Sequence, residues 1–376
     1  MLTVSADELN RATLARQLLL ERSPLEPVAA VRALVGLQAQ EPASPYLALW
    51  TRLAGFDPAA LDAAWIDRRL VKGTLMRQTL HAVAAVDYPM FWAAHVDSFG
   101  RAGARLARFE ALGIGAERVT ELTSLALSHA DVPRANPELT AYLTELGGPL
   151  GDRDWWWAIR GMAPFVHVPA AVPWGFTRRP SYVAARSWLP WTEAGAQAGL
   201  DELVRRYLAA FGPAGVADIA QFTRLEITRV RAAVDRLGTS LRRLRGPDGA
   251  DLVDLRDAAI PGADTPAPVR FLPMWDSVLL AYRDRSRVIP AEVRKMVIRT
   301  NGDVLPTFLV DGRVAGLWRA ELVRGRTRIR YRPFGRLPRA VRAELDAEAA
   351  ALAVFVEPLE PEVYRRYARW WVSSSA

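Results

Sequence analysis

Apolar positions recur at helical spacing in short stretches, and each group of stretches is followed by two short apolar runs around a polar turn. Residues 27–38 read as a helix, with Val28, Val31, Leu34, Val35 and Leu37 apolar. Ser44, as an N-cap before Pro45, opens a helix over 44–53, and Asp57 before Pro58 opens another through Ile66. Residues 70–72 and 75–83 then read as a strand pair joined through Gly73 and Thr74. The same order returns later: helices over 200–211, 216–223 and 226–237 precede strands over 241–245 and 251–255, which turn at Gly246, Pro247, Asp248 and Gly249. A middle copy is less regular, with helices over 116–129, 137–146 (Asn136 as cap) and 154–162, and a strand over 165–168. Three helices followed by a hairpin is the winged-helix arrangement.

From about Pro266 the texture changes to strand runs alternating with glycine turns, over 269–272, 304–310, 314–322 and 327–331, ending in a helix over 338–355. The proline- and glycine-rich stretch 262–268 reads as a linker. The expected fold class is therefore α+β, with three tandem winged-helix motifs and a C-terminal β-rich unit. Its parts fall at 1–115, 116–190, 191–262 and 263–376.

Composition narrows the chemistry. With no cysteine, the chain has no disulfide, no thiol nucleophile and no cysteine-based zinc site. Its four histidines, His81, His95, His129 and His167, never stand at the i, i+3 or i, i+4 spacing that groups metal ligands on a helix. No metal and no cofactor is expected. Asp7, Glu8, Arg11 and Arg16 interrupt the N-terminal region where a signal peptide needs an apolar core, and no run is long enough to span a bilayer, so a cytoplasmic protein is expected. The formal net charge is +8, and lysine occurs only at Lys72 and Lys295, so nearly all the basic residues are arginine. That balance suits a polyanionic partner, although the codon bias of a GC-rich genome yields the same excess.

Clustering separates the two explanations. Between Arg313 and Arg342 there are ten arginines against a single acid, Glu321. Arg324 opens a run in which Arg326, Arg328, Arg330 and Arg332 recur at period two on one strand face, a comb suited to phosphates. The bland reading is a solvated face neutralised by Glu344, Asp346 and Glu348. The tryptophans Trp155, Trp156, Trp157, Trp174, Trp188 and Trp191 read as core rather than as stacking platforms for bases. At the end of the first predicted helix stands Leu37-Gln38-Ala39-Gln40-Glu41-Pro42. Two carboxamides at i, i+2 diverge on an ideal helix and converge only if it frays; Pro42 disfavours helical geometry at Glu41. Without a family, this segment reads as a polar helix terminus.

Val35-Gly36-Leu37-Gln38-Ala39-Gln40, Leu49-Trp50-Thr51-Arg52-Leu53 and Arg77-Gln78-Thr79-Leu80-His81-Ala82-Val83 before Asp87-Tyr88 together resemble the AlkZ-type bacterial DNA glycosylases. Phe211-Gly212-Pro213 with Asp218, Leu272-Pro273-Met274-Trp275-Asp276 and Val310-Asp311-Gly312-Arg313-Val314-Ala315-Gly316-Leu317-Trp318 extend the resemblance over nearly the whole chain, in the expected order. It implies three winged helices and a β-rich unit around a concave DNA-binding channel. The implied activity is excision of N7-alkylated purines, including unhooking of interstrand crosslinks made by DNA-alkylating antibiotics, in repair and self-resistance. The family's Gln, apolar, Gln element is matched by Gln38, Ala39 and Gln40, with Ala39 a small occupant of the apolar position.

A carboxamide orients a water but does not deprotonate it near neutral pH. Such a pair suits a cationic base that leaves as a neutral molecule and suits normal bases badly. Glu41 and His81 are the nearest titratable groups if a proton must move, and their plainer readings are a solvated carboxylate and a packed strand residue. The expected partner is double-stranded DNA carrying alkylated purines, met by a monomer at the nucleoid. The competing reading is a non-catalytic winged-helix DNA-binding protein or transcription regulator.

Overall fold

The computed structural model describes residues 2–100, 109–150 and 154–373. The chain opens with strand β1 (Leu2–Thr3) and the helix Ala6–Arg16. A reciprocal cap starts that helix, the Glu8 N–H donating to the Ser5 hydroxyl at 3.2 Å and the Ser5 N–H to the Glu8 carboxylate at 2.8 Å. The next helix, Pro27–Ala33, stops five residues before the end that the apolar spacing predicts. Leu34 caps it, Val35 and Gly36 turn the chain at φ values of 67° and 150°, and Leu37–Gln38 continues as strand β2. The cause is a close approach to the hairpin beneath: a Cβ on Gly36 would stand 2.8 Å from the Val83 side chain. Gln38 is thus a strand residue rather than part of a fraying helix end. In the helix Ala43–Arg52 the N-cap is Pro42, not Ser44, whose buried hydroxyl lies 2.8 Å from that of Tyr364. The helix Pro58–Ile66 begins as expected, with the Asp57 carboxylate accepting from the Ala59 N–H at 2.9 Å.

Strands β3 (Leu70–Thr74) and β4 (Leu80–Ala84) form the first hairpin. The predicted second strand starts five residues late because Met76–Gln78 forms a turn of 3-10 helix. The middle segment supplies β5 (Arg134–Ala135), β6 (Phe165–His167) and β7 (Ser181–Ala184). Strands β2 to β7 join in one antiparallel sheet of order β2-β4-β3-β6-β7-β5. Its joint is β3 against β6, where Lys72 stands opposite His167 and Gly73 opposite Val166.

The helices Ala196–Phe211, Val216–Thr223 and Ile227–Leu237 precede β8 (Leu241–Arg245) and β9 (Asp251–Leu255) in the predicted order, the first of them beginning four residues ahead of its expected start. The parallel pairing of β1 with β8 adds a third strand to this sheet. Strands β10 (Arg270–Leu272), β11 (Thr307–Val310), β12 (Arg313–Val323) and β13 (Arg326–Pro333) make an antiparallel meander, on which the helix Arg339–Val356 packs.

Two cores lie on either side of the first hairpin. On one side, Leu70, Ala82 and Ala84 join Leu47, Trp65 and the C-terminal residues Phe271, Phe308 and Trp318. On the other, Val71 and Val83 join Tyr207, Phe211 and Phe222 from the later helices. Burial on both faces fixes the register of the hairpin, because a one-residue slip would exchange every side chain between the cores. Arg52 pins the helix Ala43–Arg52 to the C-terminal unit through two 2.8 Å hydrogen bonds to Asp276, both side chains being fully buried. The architecture is α+β, and no helix among the described residues is long and apolar enough to cross a membrane.

Candidate active site

The short strand β2 runs along β4 with Gln38 opposite His81 and Leu37 opposite Ala82. Alternation sends Leu37 and Ala39 into one core and turns Gln38 the other way, where it is 5% exposed. The turn linking β3 and β4 carries two consecutive left-handed residues, Arg77 at φ 54° and Gln78 at φ 57°. This conformation is costly for residues other than glycine and folds the Arg77 side chain under the hairpin. There its guanidinium donates to Gln38 Oε1 at 2.6 Å and to His81 Nε2 at 3.3 Å. His81 Nδ1–H in turn donates to the Thr79 carbonyl at 3.0 Å. Burial, with Arg77 beside it, holds the His81 imidazole well below its usual range, so the ring is neutral. Burial and the neighbouring Arg285 push Arg77 down to about 10, which leaves it charged at neutral pH.

Gln40, two residues on, is exposed. It lines a cavity of about 150 Å³ together with Thr74, Gln78 and Thr79 of the hairpin, and Phe165, His167 and Tyr182 of β6 and β7. Arg160 also lines this space and donates to the Tyr182 hydroxyl at 3.3 Å. Burial, then Lys72 and Arg160, hold His167 well below its usual range. Lys72 is itself pushed down to about 8 by burial, and its ammonium lies 4.6 Å from the Phe176 ring. Among the described residues lining the cavity there is no carboxylate. Its polar atoms are amides, hydroxyls, a neutral imidazole and one guanidinium.

Glu41 turns elsewhere. It is ion-paired with Arg366 and accepts from the Tyr367 hydroxyl at 2.9 Å, which ties it to the C-terminal segment. Of the four residues singled out at this end of the sequence, the fold links Gln38 to His81 through Arg77, sets Gln40 on the cavity rim and engages Glu41 apart from both. Arg77 is the functional candidate that sequence reasoning passed over. The available signal was a polar run, Arg77-Gln78-Thr79, set inside an otherwise apolar hairpin.

The arginine run lies on β13, the end strand of the C-terminal sheet. Arg324 and Gly325, at φ 50° and 78°, make the two-residue turn between β12 and β13. Arg326, Arg328 and Arg330 are exposed at alternate positions of β13, while Thr327 and Ile329 are buried. Arg326 pairs with Glu357 at 3.1 Å and Arg330 with Glu321 at 3.5 Å. Neutralisation comes from these two acids rather than from Asp346 and Glu348, which bond to Tyr331 and Arg22. Arg332 is half-buried and donates to the Trp371 carbonyl at 2.8 Å, so the outward comb ends at Arg330. Among the described residues there is no group of three or more His, Asp or Glu able to hold a metal ion.

No match to a curated protein was found for the sequence. Among solved structures, Streptomyces sahachiroi DNA glycosylase AlkZ is similar at a TM-score of 0.79 and 22% identity, over 94% of this chain and 96% of that chain. At that identity the likeness speaks for the fold. The sequence itself matches the family described as DNA glycosylase AlkZ-like over residues 31–355, a span holding the glutamine segment, the cavity walls and the arginine hairpin. The chain therefore belongs to the AlkZ-like DNA glycosylase family, and its activity is hydrolysis of N-glycosyl bonds in DNA rather than DNA binding alone.

Proposed function

We propose that the protein excises N7-alkylated purines from duplex DNA, interstrand crosslinks included, with Gln38 and Gln40 positioning the attacking water. The observation that carries this reading is a carboxamide on the rim of a small cavity that no carboxylate lines among the described residues. The imidazole on its wall, His167, is held well below its usual range and is a weak base, so the chemistry must be one that asks little of a base. An N7-alkylpurine meets that condition. Its cationic ring takes the electron pair of the C1′–N bond and departs neutral, while the water oxygen bonds to C1′ and its proton passes to solvent. Arg160 and the nearby Lys72 put positive charge beside the cavity, and departure of a cationic base as a neutral one relieves repulsion there.

About 150 Å³ is below the roughly 300–1,000 Å³ of pockets for drug-sized ligands, a scale suited to a single base or part of one. Phe165 and Tyr182 are aromatic residues of its wall. On the outer strand of the C-terminal sheet, Arg326, Arg328 and Arg330, with Arg324 at the turn, address the phosphate backbone from exposed positions, and Arg332 is turned to Trp371. The protein acts as a monomer at the nucleoid in this reading.

The test is release of abasic sites from duplexes carrying N7-methylguanine, an N7-linked crosslink or no lesion. Excision from the first two and none from the third is expected, leaving an intact abasic strand with no adduct trapped by borohydride. Release of unmodified purines, or of neither lesion, would end the proposal.

A further inference from the structure

Two arginines turn inward near the first hairpin, Arg52 fully buried and Arg77 half-buried with its Nη1 enclosed, and their surroundings differ. Arg52 meets a carboxylate, Asp276, through two hydrogen bonds at 2.8 Å, the usual way a fold accommodates an internal cation. The hydrogen-bond partners of Arg77 are instead an amide and an imidazole, its Nη1 is buried with no partner among the described residues, and the guanidinium lies 5.0 Å from the Phe222 ring. A charge turned inward with no counter-ion among the described residues, on a residue already held at φ 54°, is an expensive feature for a hairpin to carry.

Its geometry dictates what Gln38 can do. A guanidinium has only N–H donors, so the amide atom 2.6 Å from it must be the oxygen. The Gln38 NH₂ is then directed away from Arg77. His81 meets the same guanidinium nitrogen, Nη2: its Nδ1–H is committed to the Thr79 carbonyl, which leaves Nε2 as a lone-pair acceptor for Arg77. Both groups that face Arg77 accept from it, and neither rotates without losing a part-buried hydrogen bond.

We propose that Arg77 is a positioning residue that locks the Gln38 carboxamide with its oxygen inward. Gln38 then serves the reaction as an N–H donor alone, and the oxygen that accepts from the attacking water belongs to Gln40. The inference rests on the glutamine reading above and divides the work of two residues that look equivalent in sequence.

Single-turnover excision of N7-methylguanine by Gln38→Ala, Gln38→Glu, Arg77→Met and the double variant Gln38→Ala, Arg77→Met tests it, with lesion affinity and a melt recorded for each. Glutamate keeps the oxygens that face Arg77 but has no N–H to offer, so Gln38→Glu is expected to be as slow as Gln38→Ala. Arg77→Met is expected to slow excision on the order of 10- to 100-fold with lesion affinity little changed, and to add nothing to Gln38→Ala. Gln38→Glu excising at the wild-type rate or faster would overturn the donor assignment, and it needs no Arg77 variant to fold. An Arg77→Met effect that multiplies fully with Gln38→Ala would show that Arg77 does not act through Gln38. Unimpaired excision by Gln38→Ala is the distinct result that removes the glutamine reading itself, and Arg77's role with it.

Discussion

In the hairpin β3–β4 the arginine at the turn folds inward, whereas in β12–β13 the arginines at and after the turn stand outward. Arg77 is half-buried with its Nη1 enclosed, held at 2.6 Å from one polar atom and 3.3 Å from another, and no carboxylate engages it among the described residues. Arg326 and Arg330 sit in solvent, each beside a surface acid at 3.1 Å and 3.5 Å. Low dielectric makes the first arrangement stiff and sensitive to a single atom. Water and salt make the second adaptable, so its strength lies in number rather than in any one contact. Chemistry that needs a fixed water belongs to the first kind of site, and sequence-tolerant hold on a charged polymer belongs to the second.

Breaking the glutamine side of this comparison should have the largest effect. Replacing Gln38 or Gln40 by Ala is expected to slow single-turnover excision by on the order of one to three decades while binding to lesion DNA changes far less. Over the range where carboxylates titrate the wild-type rate should be nearly flat, since Glu41 is held by Arg366 and Tyr367 and His81 is neutral. A rate that collapsed on protonation of a carboxylate would place the chemistry on Glu41 instead.

How much of this was legible beforehand follows from the range of the interactions involved. The helices at 216–223 and 227–237 and the hairpin at 241–255 are local structures, set by apolar spacing and by glycine at their ends, and they stand where the pattern puts them. The segment around Gln38 is not local. Its strand exists because β4 lies beneath it and because Gly36 tolerates the Val83 side chain at a Cβ distance of 2.8 Å, neither of which a 3.6-residue period encodes. For the same reason the two glutamines were visible as residue types while their difference was not. Which one is buried depends on a turn 39 positions away, where Arg77 and Gln78 take positive φ although neither is glycine. Period-two arginines announced the outer face of β13, yet the exclusion of Arg332 from the comb depends on Trp371, which sequence spacing does not bring near.

An intermediate effect belongs to stability. Burial holds His81 and His167 well below the ordinary value of 6.5, so the folded protein keeps them neutral while the unfolded chain protonates them. Stability is therefore complete above about pH 6.5 and declines as pH falls below it, because the unfolded state then binds more protons. Melting temperatures between pH 8 and 5 check the sign, and His81→Gln should remove part of the slope. A gentler effect is expected from replacing Arg326, Arg328 and Arg330 together by Ala: weaker DNA binding at an unchanged melting temperature, since exposed ion pairs add little to the fold. Unaltered anisotropy titrations would move the contact surface to the three helix and hairpin units.

The smallest effect sharpens the outer side most. Arg328 stands between two arginines that already have acidic neighbours, and no ion pair or hydrogen bond engages it among the described residues. A cation with no internal partner gives up nothing when it meets a phosphate, whereas Arg326 must first leave Glu357 and Arg330 must leave Glu321. Arg328→Ala should accordingly lower the slope of log affinity against log salt by about one, the signature of one lost phosphate contact, with little dependence on DNA sequence. Arg326→Ala should lower it by less, because its charge is partly compensated before DNA arrives. Anisotropy titrations over a salt series distinguish the two single variants. Equal slopes for both would mean that Glu357 exerts no hold in solution and that the comb acts as a uniform charged edge, which would erase the distinction between paired and unpaired arginines on that face.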